Sequence, residues 1–309
     1  MSELLAQLPQ QLVNGLTLGS VYSLIALGYS MVYGTLEMLN FAHGDVFMVG
    51  AFAGWGVLAL LTREGSLVVN PALTLLAMLL GAILLTAGLG FGIERLAYRP
   101  LRNAMRLAPL ITALGVSIVL QNLAMLATAG RAKALPSDLL IPPGWALNLG
   151  PVTISFTRGL IVAVALFLMV VLDYLVRRTP LGQAMRATAE DQVAASYMGI
   201  RPDAVISLTF VLGSALAGAG GVLVAVYYTQ VDFMMGFAAG LKAFTAAVLG
   251  GIGNLRGAML GGLLLGMAEA LGVAFVSPVY KDVLSFALLI LILVVKPTGL
   301  LGEQVPDKV

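Results

Sequence analysis

The sequence predicts an all-α integral membrane protein, a helical bundle with about eight or nine transmembrane segments. Long apolar runs separated by short loops fill most of the 309 residues. Runs such as 71–89, 108–130 and 283–295 reach or approach the length at which a helix, rising about 1.5 Å per residue, crosses about 30 Å of hydrocarbon. Hydrophobic residues make up 60% of the chain and charged residues 10%, so a soluble domain would lack the polar surface to cover itself.

Helices are expected, in order, near residues 9–34, 40–61, 71–95, 108–129, 158–176, 205–228, 234–253, 257–276 and 283–297. Two segments, 40–56 and 236–253, are crowded with glycine, and each fits either a complete span or a broken, re-entrant helix. Irregular backbone is tolerated at membrane depth only beside protein or water, because an unpaired amide in lipid costs several kcal/mol. We therefore expect eight full spans and one doubtful span in a single domain, 1–309.

The distribution of Lys and Arg predicts the orientation, because cytoplasmic loops hold an excess of basic residues. If the nine segments alternate, most basic residues fall on one side and the N-terminus lies outside. The cytoplasmic set is then Arg95, Arg99, Arg102, Arg106, Arg177, Arg178, Arg186, Arg201, Arg256, Lys296 and Lys308, and the external set is Arg63, Arg131, Lys133, Arg158 and Lys281. Loss of the doubtful segment would reverse one half of the bundle, so the orientation depends mainly on the two arginine-rich loops.

Small residues spaced four apart predict close helix packing, since they line one helix face and let another backbone approach. The same smooth interfaces would also let helices slide, and the sequence does not separate the two roles. The sets are Gly15/Gly19, Gly50/Gly54, Gly88/Gly92, Gly213/Ala217/Gly221, Gly236/Gly240 and Gly257/Gly261.

Several classes of function are disfavoured by composition. A net charge of +2 with scattered basic residues argues against a nucleic-acid partner. Because the chain has no cysteine and His43 is its single histidine, we expect neither a metal site nor a catalytic triad. No Gly-x-x-x-x-Gly-Lys-Ser/Thr motif occurs, so we expect no ATPase activity and no catalytic residues in this chain.

The segment 177–203 is the longest predicted cytoplasmic loop. Thr179 and Pro180 predict the end of the fifth span, and residues 188–198 are expected to form one short amphipathic helix that ends at Gly199. Glu190 and Asp191 would lie in its first turn, where the helix dipole favours acidic side chains. Such a helix fits either packing along the protein's own cytoplasmic face or docking as a coupling helix on a separate ATPase.

Several motifs recur in a fixed order along the chain. They are Asn-Gly-Leu at 14–16, Asn-Phe-Ala-His-Gly-Asp at 40–45, the alanines at 194–195, Gly-Ile at 199–200, Lys-Ala-Phe-Thr-Ala-Ala-Val-Leu-Gly-Gly-Ile-Gly at 242–253 and Lys-Pro-Thr-Gly-Leu-Leu-Gly at 296–302. By their order and spacing, more than by any single motif, they resemble the LivH-type permease subunits of bacterial ABC importers for branched-chain amino acids.

The resemblance implies a transporter subunit in the bacterial inner membrane that contains no cofactor and relies on ATP bound by partner subunits. The implied partners are two ATP-binding subunits, a second permease subunit of the LivM type, a periplasmic substrate-binding protein and membrane lipid. The external loop 130–157, with Pro136, Pro142, Pro143 and Trp145, would either meet the binding protein or serve as a plain connector. The positions implied for contact with the ATPase are Glu190, Asp191, Ala194, Ala195, Gly199 and Ile200.

Ionisable residues inside the spans are costly and therefore need partners. Glu94 and Asp173 lie beside Arg95 and Arg177 at cytoplasmic helix ends, where we expect either snorkelling to the interface or ion pairing to satisfy them. Lys242 and Glu269 lie deeper on adjacent segments and are expected to pair, either as a structural pair or as contacts for a passing amino acid.

Asn40, His43 and Asp45 mark the start of the second segment. Asn40 is expected to cap the start of this helix, which lies either near the cytoplasmic interface or inside the bundle. Inside the bundle, the backbone amides at the helix N-terminus would face an anionic group.

An ATP-driven permease for leucine, isoleucine and valine is the leading hypothesis. The alternative is an ion-coupled secondary transporter of small amino acids or amides, with Asp45, Lys242 or Glu269 as coupling groups. An intramembrane enzyme has little support, because the spans contain no paired carboxylates, HExxH or nucleophile motif.

Overall fold

The computed structural model describes residues 2–63, 70–102, 104–105, 107–136, 140, 146–149 and 152–302. These residues form eleven α-helices and four short strands. The helices are α1 (Ser2–Leu36), α2 (His43–Arg63), α3 (Pro71–Ile93), α4 (Leu107–Thr128), α5 (Phe156–Arg178), α6 (Pro180–Glu190), α7 (Gln192–Tyr197), α8 (Pro202–Tyr228), α9 (Met235–Gly250), α10 (Leu255–Phe275) and α11 (Lys281–Val295). The strands are β1 (Lys133–Ala134), β2 (Ala146–Leu149), β3 (Val152–Ser155) and β4 (Gln230–Val231).

Within the described residues, eight helices are long and apolar enough to cross a membrane. The predicted polytopic helical bundle is therefore confirmed, and the chain is a multi-pass membrane protein. The doubtful second segment is one continuous helix of 21 residues. The seventh segment forms α9, which has only 16 residues and spans about 24 Å at 1.5 Å per residue.

Helix starts follow signals that are visible in the sequence. Asn70 caps α3, with its side chain accepting hydrogen bonds from the amides of Ala72 and Leu73, and Pro71 occupies the first helical position. Thr179 and Asn254 cap α6 and α10 in the same way. The third span continues beyond α3 as a π-helical turn (Glu94–Tyr98) and a short 3-10 turn (Arg99–Leu101), elements that the sequence pattern does not predict.

The helices α1 and α8 are the most buried spans, and α4 and α11 are the most exposed. A Cβ on Gly19 would stand 2.8 Å from Leu263 Cα, so this glycine permits α1 and α10 to approach closely. Gly50 similarly meets Gly218 where α2 crosses α8. The expected packing is wrong for Gly88 and Gly92, whose α-carbons face open space among the described residues.

The arginine-rich loops lie at the same end of the bundle. Arg99 and Arg102 both form ion pairs with Asp203, which joins the end of the third span to the start of α8. At that end Arg256 also pairs with Asp173, at 3.3 Å. Because α10 begins beside the end of α5, α9 returns the chain from the far end of the bundle to this end. Arg106 and Lys308 lie outside the described residues.

Short strands at the opposite end modify the expected all-helical picture. Strand β1 pairs antiparallel with β4, and β2 pairs with β3. The Trp55 indole donates a hydrogen bond of 3.2 Å to the Ala134 carbonyl, while Leu135 and Leu140 are buried. The part of the predicted external loop around β1 is therefore packed onto α2 and α8, while β3 lies against α1 and α5. Pro136 is exposed, and Pro142, Pro143 and Trp145 lie outside the described residues.

Candidate functional site

Lys242 and Glu269 form the buried ion pair that the sequence predicts. Lys242 Nζ lies 3.0 Å from Glu269 Oε1, and their side chains are 8% and 0% exposed. The Tyr22 hydroxyl donates to the second carboxylate oxygen at 3.1 Å. Three helices, α1, α9 and α10, thus converge on one buried carboxylate.

Lys281 and Asp282 add two further charges to this arrangement. We call the whole set the Glu269 network, and it consists of Tyr22, Lys242, Glu269, Lys281 and Asp282. Lys281 Nζ lies 2.8 Å from Glu269 Oε1, and Lys242 Nζ lies 2.7 Å from Asp282 Oδ1. The four formal charges balance, so the network is neutral as a whole. Because Asp282 is 67% exposed, the network extends from the buried core of the bundle to its surface.

A cavity of about 210 Å³ opens beside the Glu269 network. Its polar lining includes Tyr22, Lys242 and Lys281, and Gln230 and Asp232 lie at the turn between α8 and α9. Most of the remaining lining is apolar, including Val21, Ile25, Phe47, Val224 and Met235. An apolar chamber with a few convergent charged groups has the chemistry of a site for a small amphiphilic molecule.

The start of α2 lies inside the bundle rather than at its surface. Asn40, His43 and Asp45 are all nearly inaccessible to solvent. The His43 ring meets Tyr29 edge-on at a centroid distance of 4.9 Å and packs against Gly28. Because α1 continues eight residues beyond Gly28 to Leu36, α2 begins about 12 Å deeper than the end of α1.

Asn40 does not cap α2 as expected, because α2 begins three residues later, at His43. Asn40 Oδ1 accepts a hydrogen bond from the Ala42 amide at 3.2 Å and another from the Tyr98 hydroxyl at 3.2 Å. It therefore closes the turn before α2 and anchors that turn to the π-helical segment. Asp45 Oδ1 accepts from Gln121 Nε2 at 3.1 Å, which links α2 to α4.

The expected single helix over 188–198 is wrong, because the segment divides into α6 and α7 at Asp191. The Asp191 side chain accepts from the amides of Val193 and Ala194, at 2.7 and 3.0 Å, and so caps α7. Glu190 ends α6 instead of opening the helix, where the dipole disfavours its charge. Gly199 ends α7 as predicted, with a φ of +84°.

The helix α6 holds this segment to the bundle. Met185 and Thr188 are buried, and the Arg186 guanidinium donates to the Val176 carbonyl at the end of α5. The helix α7, by contrast, presents large apolar side chains outward: Tyr197 is 86% exposed and Met198 is 82% exposed. Among the residues expected to contact an ATPase, Glu190, Asp191, Ala194 and Gly199 are exposed, Ile200 is half-buried and Ala195 is buried.

The structure corrects one expected ion pair and confirms another. Asp173 pairs with Arg177 at 2.8 Å, as predicted. Glu94 pairs with Arg102 and accepts from the Ser207 hydroxyl instead of pairing with Arg95. Consecutive residues of a helix do not face each other, so Glu94 is buried while Arg95 is exposed.

Sequence reasoning did not single out Tyr22, Lys281 and Asp282 as partners of Glu269, or the exposed Tyr197 and Met198. Lys281 and Asp282 open the last apolar run as an adjacent charged pair, a signal that points to partners near a helix end. Nothing in the spacing of Tyr22 indicates which helix it contacts.

A polytopic bundle with a buried charge network, an apolar cavity and an exposed helix at its arginine-rich end is typical of a membrane transport protein. The chain belongs to the family described as branched-chain amino acid transport system, permease component, which matches residues 11–293. It is one component of such a system.

Relatives along the full length agree with this family. The chain is 47% identical to the high-affinity branched-chain amino acid transport system permease protein LivH of Salmonella typhimurium, and 47% identical to the LivH protein of Escherichia coli, with 100% of each chain covered. It is 48% identical to the BraD permease protein of Pseudomonas aeruginosa, with 97% of each chain covered.

Proposed function

We propose that this chain is the permease subunit of an ABC importer that moves leucine, isoleucine and valine inward, driven by ATP hydrolysis in separate subunits. The observation that carries the proposal is the identity of 47% over the whole chain to permeases named for branched-chain amino acid transport. The buried, largely apolar cavity supports the same substrate class, because it suits a branched aliphatic side chain.

The proposed assembly contains this chain, a second related permease subunit of the LivM type, two ATP-binding subunits and a periplasmic substrate-binding protein. ATP is bound by the partner subunits, and the chain itself is neither an ATPase nor the holder of a cofactor. The absence of a Gly-x-x-x-x-Gly-Lys-Ser/Thr motif supports this division of roles.

We assign ATPase coupling to the segment 177–203, which contains α6 and α7 and which we call the coupling segment. The residues proposed to carry it are Glu190, Asp191, Ala194, Ala195, Gly199 and Ile200. Asp191 sets the angle of α7 as its cap, Gly199 ends α7, and Ala195 and Ile200 seat it on the bundle. Val193, Tyr197 and Met198 provide the apolar contact surface, since all three are well exposed and large exposed side chains of this kind mark protein interfaces.

The Glu269 network and its cavity form the proposed outer part of the translocation path. A lysine ammonium can hold the carboxylate of a passing amino acid, and Glu269 or Asp282 can hold its ammonium. Lys242 is the key residue because it lines the cavity and touches both carboxylates. We propose that the buried start of α2 supports the inner part of the path and is held in place by Asn40, His43 and Asp45.

Uptake measured under separate energy sources tests the proposal. Cells that express the complete system should lose leucine accumulation when ATP is exhausted and ion gradients are kept, and should retain accumulation when the gradients are collapsed and ATP is kept. Accumulation that follows the ion gradient instead would reject ATP-driven transport and favour the ion-coupled alternative.

A further inference from the structure

A groove of about 830 Å³ lies at the arginine-rich end of the bundle, between the third span and α8, and the excess of basic residues assigns this end to the cytoplasmic side. Its apolar floor includes Phe91 from α3 and Leu208 and Val211 from α8. These residues belong to membrane-spanning helices, and Phe91 is 47% exposed. The floor therefore lies at acyl-chain depth, toward the centre of the membrane from the charged rim.

The rim carries Arg95, Arg99 and Arg201, and Asp203 is the acidic residue among the described lining residues. Asp203 is already paired with Arg99 and with Arg102. Neither the Arg95 guanidinium nor the Arg201 guanidinium has a hydrogen-bond or ion-pair partner among the described residues. The groove thus presents unneutralised positive charge directly above an apolar surface.

The π-helical turn lies at the edge of this groove. Within it, Glu94 faces inward to Arg102 and Ser207, while Arg95 is exposed at the groove. Arg95 and Arg99 are four residues apart and both line the groove. A π-turn inserted in an α-helix is often found at functional sites, because its cost must be offset by a gain elsewhere.

We propose that this groove binds the headgroup of an anionic phospholipid of the inner leaflet, with an acyl chain on Phe91, Leu208 and Val211. Basic pockets between spans on the cytoplasmic side have the chemistry that recognises such headgroups. A free phosphate ion would use the arginines but leave the apolar floor exposed to lipid or water. An acidic patch of a partner ATPase would also leave the floor unused, because the floor lies within the spans.

The bound lipid would act on the joint between the coupling segment and the bundle. Ser196 of α7 and Ile200, which precedes α8, also line the groove. A headgroup held by Arg201 therefore restrains the link through which α7 is connected to α8. This makes anionic lipid a positioning ligand of the coupling segment, in addition to any role in substrate transport.

Native mass spectrometry of the full chain tests the proposal, with phosphatidylglycerol titrated against phosphatidylethanolamine. The variant Arg95→Gln/Arg201→Gln should bind the tightest phosphatidylglycerol roughly 25- to 30-fold more weakly, because each basic residue near a membrane surface contributes about a factor of five. The charge-matched control Arg131→Gln/Arg178→Gln removes two exposed arginines outside the groove and should bind as the parent does.

Further variants separate a folding defect and free phosphate from lipid binding. Arg95→Lys/Arg201→Lys keeps the charges and should retain most of the affinity, while Val211→Asp places a charge on the floor and should weaken lipid binding with both arginines intact. Equal lipid binding by the Gln variant and the control would overturn the proposal. So would displacement of the lipid by millimolar inorganic phosphate, or insensitivity to Val211→Asp.

Discussion

Two buried glutamates at opposite ends of the bundle, Glu94 and Glu269, are neutralised in different ways. Glu94 is held by Arg102, which also reaches Asp203, and by the Ser207 hydroxyl at 2.5 Å. Glu269 is held by two lysines and Tyr22, beside a cavity. Both carboxylates are inaccessible to solvent, so at each end the charged carboxylate loses its hydration and needs a compensating partner.

The difference lies in what each partner can do. The Arg guanidinium is planar and offers several donors in a fixed geometry, which suits a permanent connection between two helices. The Lys ammonium is a compact charge on a flexible stem, and Lys242 already touches two carboxylates on different helices. We infer that the Glu94 end anchors the bundle and that the Glu269 end can exchange partners during transport.

The largest expected effect comes from removing Arg102, the arginine that neutralises Glu94. Arg102→Ala leaves Glu94 buried with the Ser207 hydroxyl but without its cation, and we expect a loss of about 3 to 5 kcal/mol in folding free energy. Thermal unfolding of the purified chain in detergent measures the loss. Arg178→Ala is the control, because Arg178 is exposed and should change stability by less than about 0.5 kcal/mol. Comparable stability of the two variants would show that Glu94 needs no cation.

A second prediction separates stability from transport at the Glu269 end. Lys242→Met should cost only about 1 to 3 kcal/mol, because Lys281 and Tyr22 still contact Glu269, yet it should abolish most leucine uptake. The double variant Lys242→Met/Glu269→Gln should recover stability relative to Glu269→Gln alone, but not uptake. A double-mutant cycle on unfolding and uptake measures both couplings.

That pair of readouts distinguishes the two roles of the Glu269 network. Recovery of uptake together with stability in the double variant would identify a purely structural pair. Loss of uptake at normal stability supports contact with the substrate.

Tyr197 gives a third test, now at the cytoplasmic end. Tyr197→Ala should weaken association of the ATP-binding subunits by roughly tenfold, because truncating a large interface side chain often costs more than about 1 kcal/mol. Tyr280→Ala is a matched control, since Tyr280 is also exposed but lies at the other end of the bundle. Co-purification of the subunits quantifies the effect. Equal loss in both variants would place the ATPase contact elsewhere.

The smallest expected effect concerns the end of α7. Gly199 has a φ of +84° and open space around its α-carbon, so Gly199→Ala adds backbone strain of about 1 kcal/mol without a clash. Hydrogen exchange of the amides in α7 should become faster, while exchange in α8 stays unchanged. Unchanged exchange in α7 would mean that this cap does not set its stability.

The spans were predictable because each long apolar run must cover its polar backbone by forming a helix. The Lys242–Glu269 pair was predictable for a related reason, since neither charge can remain alone in the membrane. Tyr22, Lys281 and Asp282 could not be assigned to the pair, because their positions depend on how α1 and α11 pack against α10.

The failures at Glu94 and in the coupling segment have local physical causes. Glu94 and Arg95 are adjacent and cannot face each other on a helix, and the actual partner, Arg102, lies beyond a π-helical turn that leaves no clear hydrophobic period. In the coupling segment, the Asp191 side chain caps the separate helix α7 instead of continuing α6. Short polar side chains often compete in this way with the backbone hydrogen bonds of a continuous helix.

The central claim is that this chain provides the path while separate subunits provide the force through its cytoplasmic end. Reconstitution in vesicles tests it most directly, by measuring leucine accumulation for the chain alone and for the complete system with binding protein and ATP. The account predicts accumulation against a gradient only in the complete system, and its loss there when ATP is replaced by a non-hydrolysable analogue. Accumulation by the chain alone would contradict it.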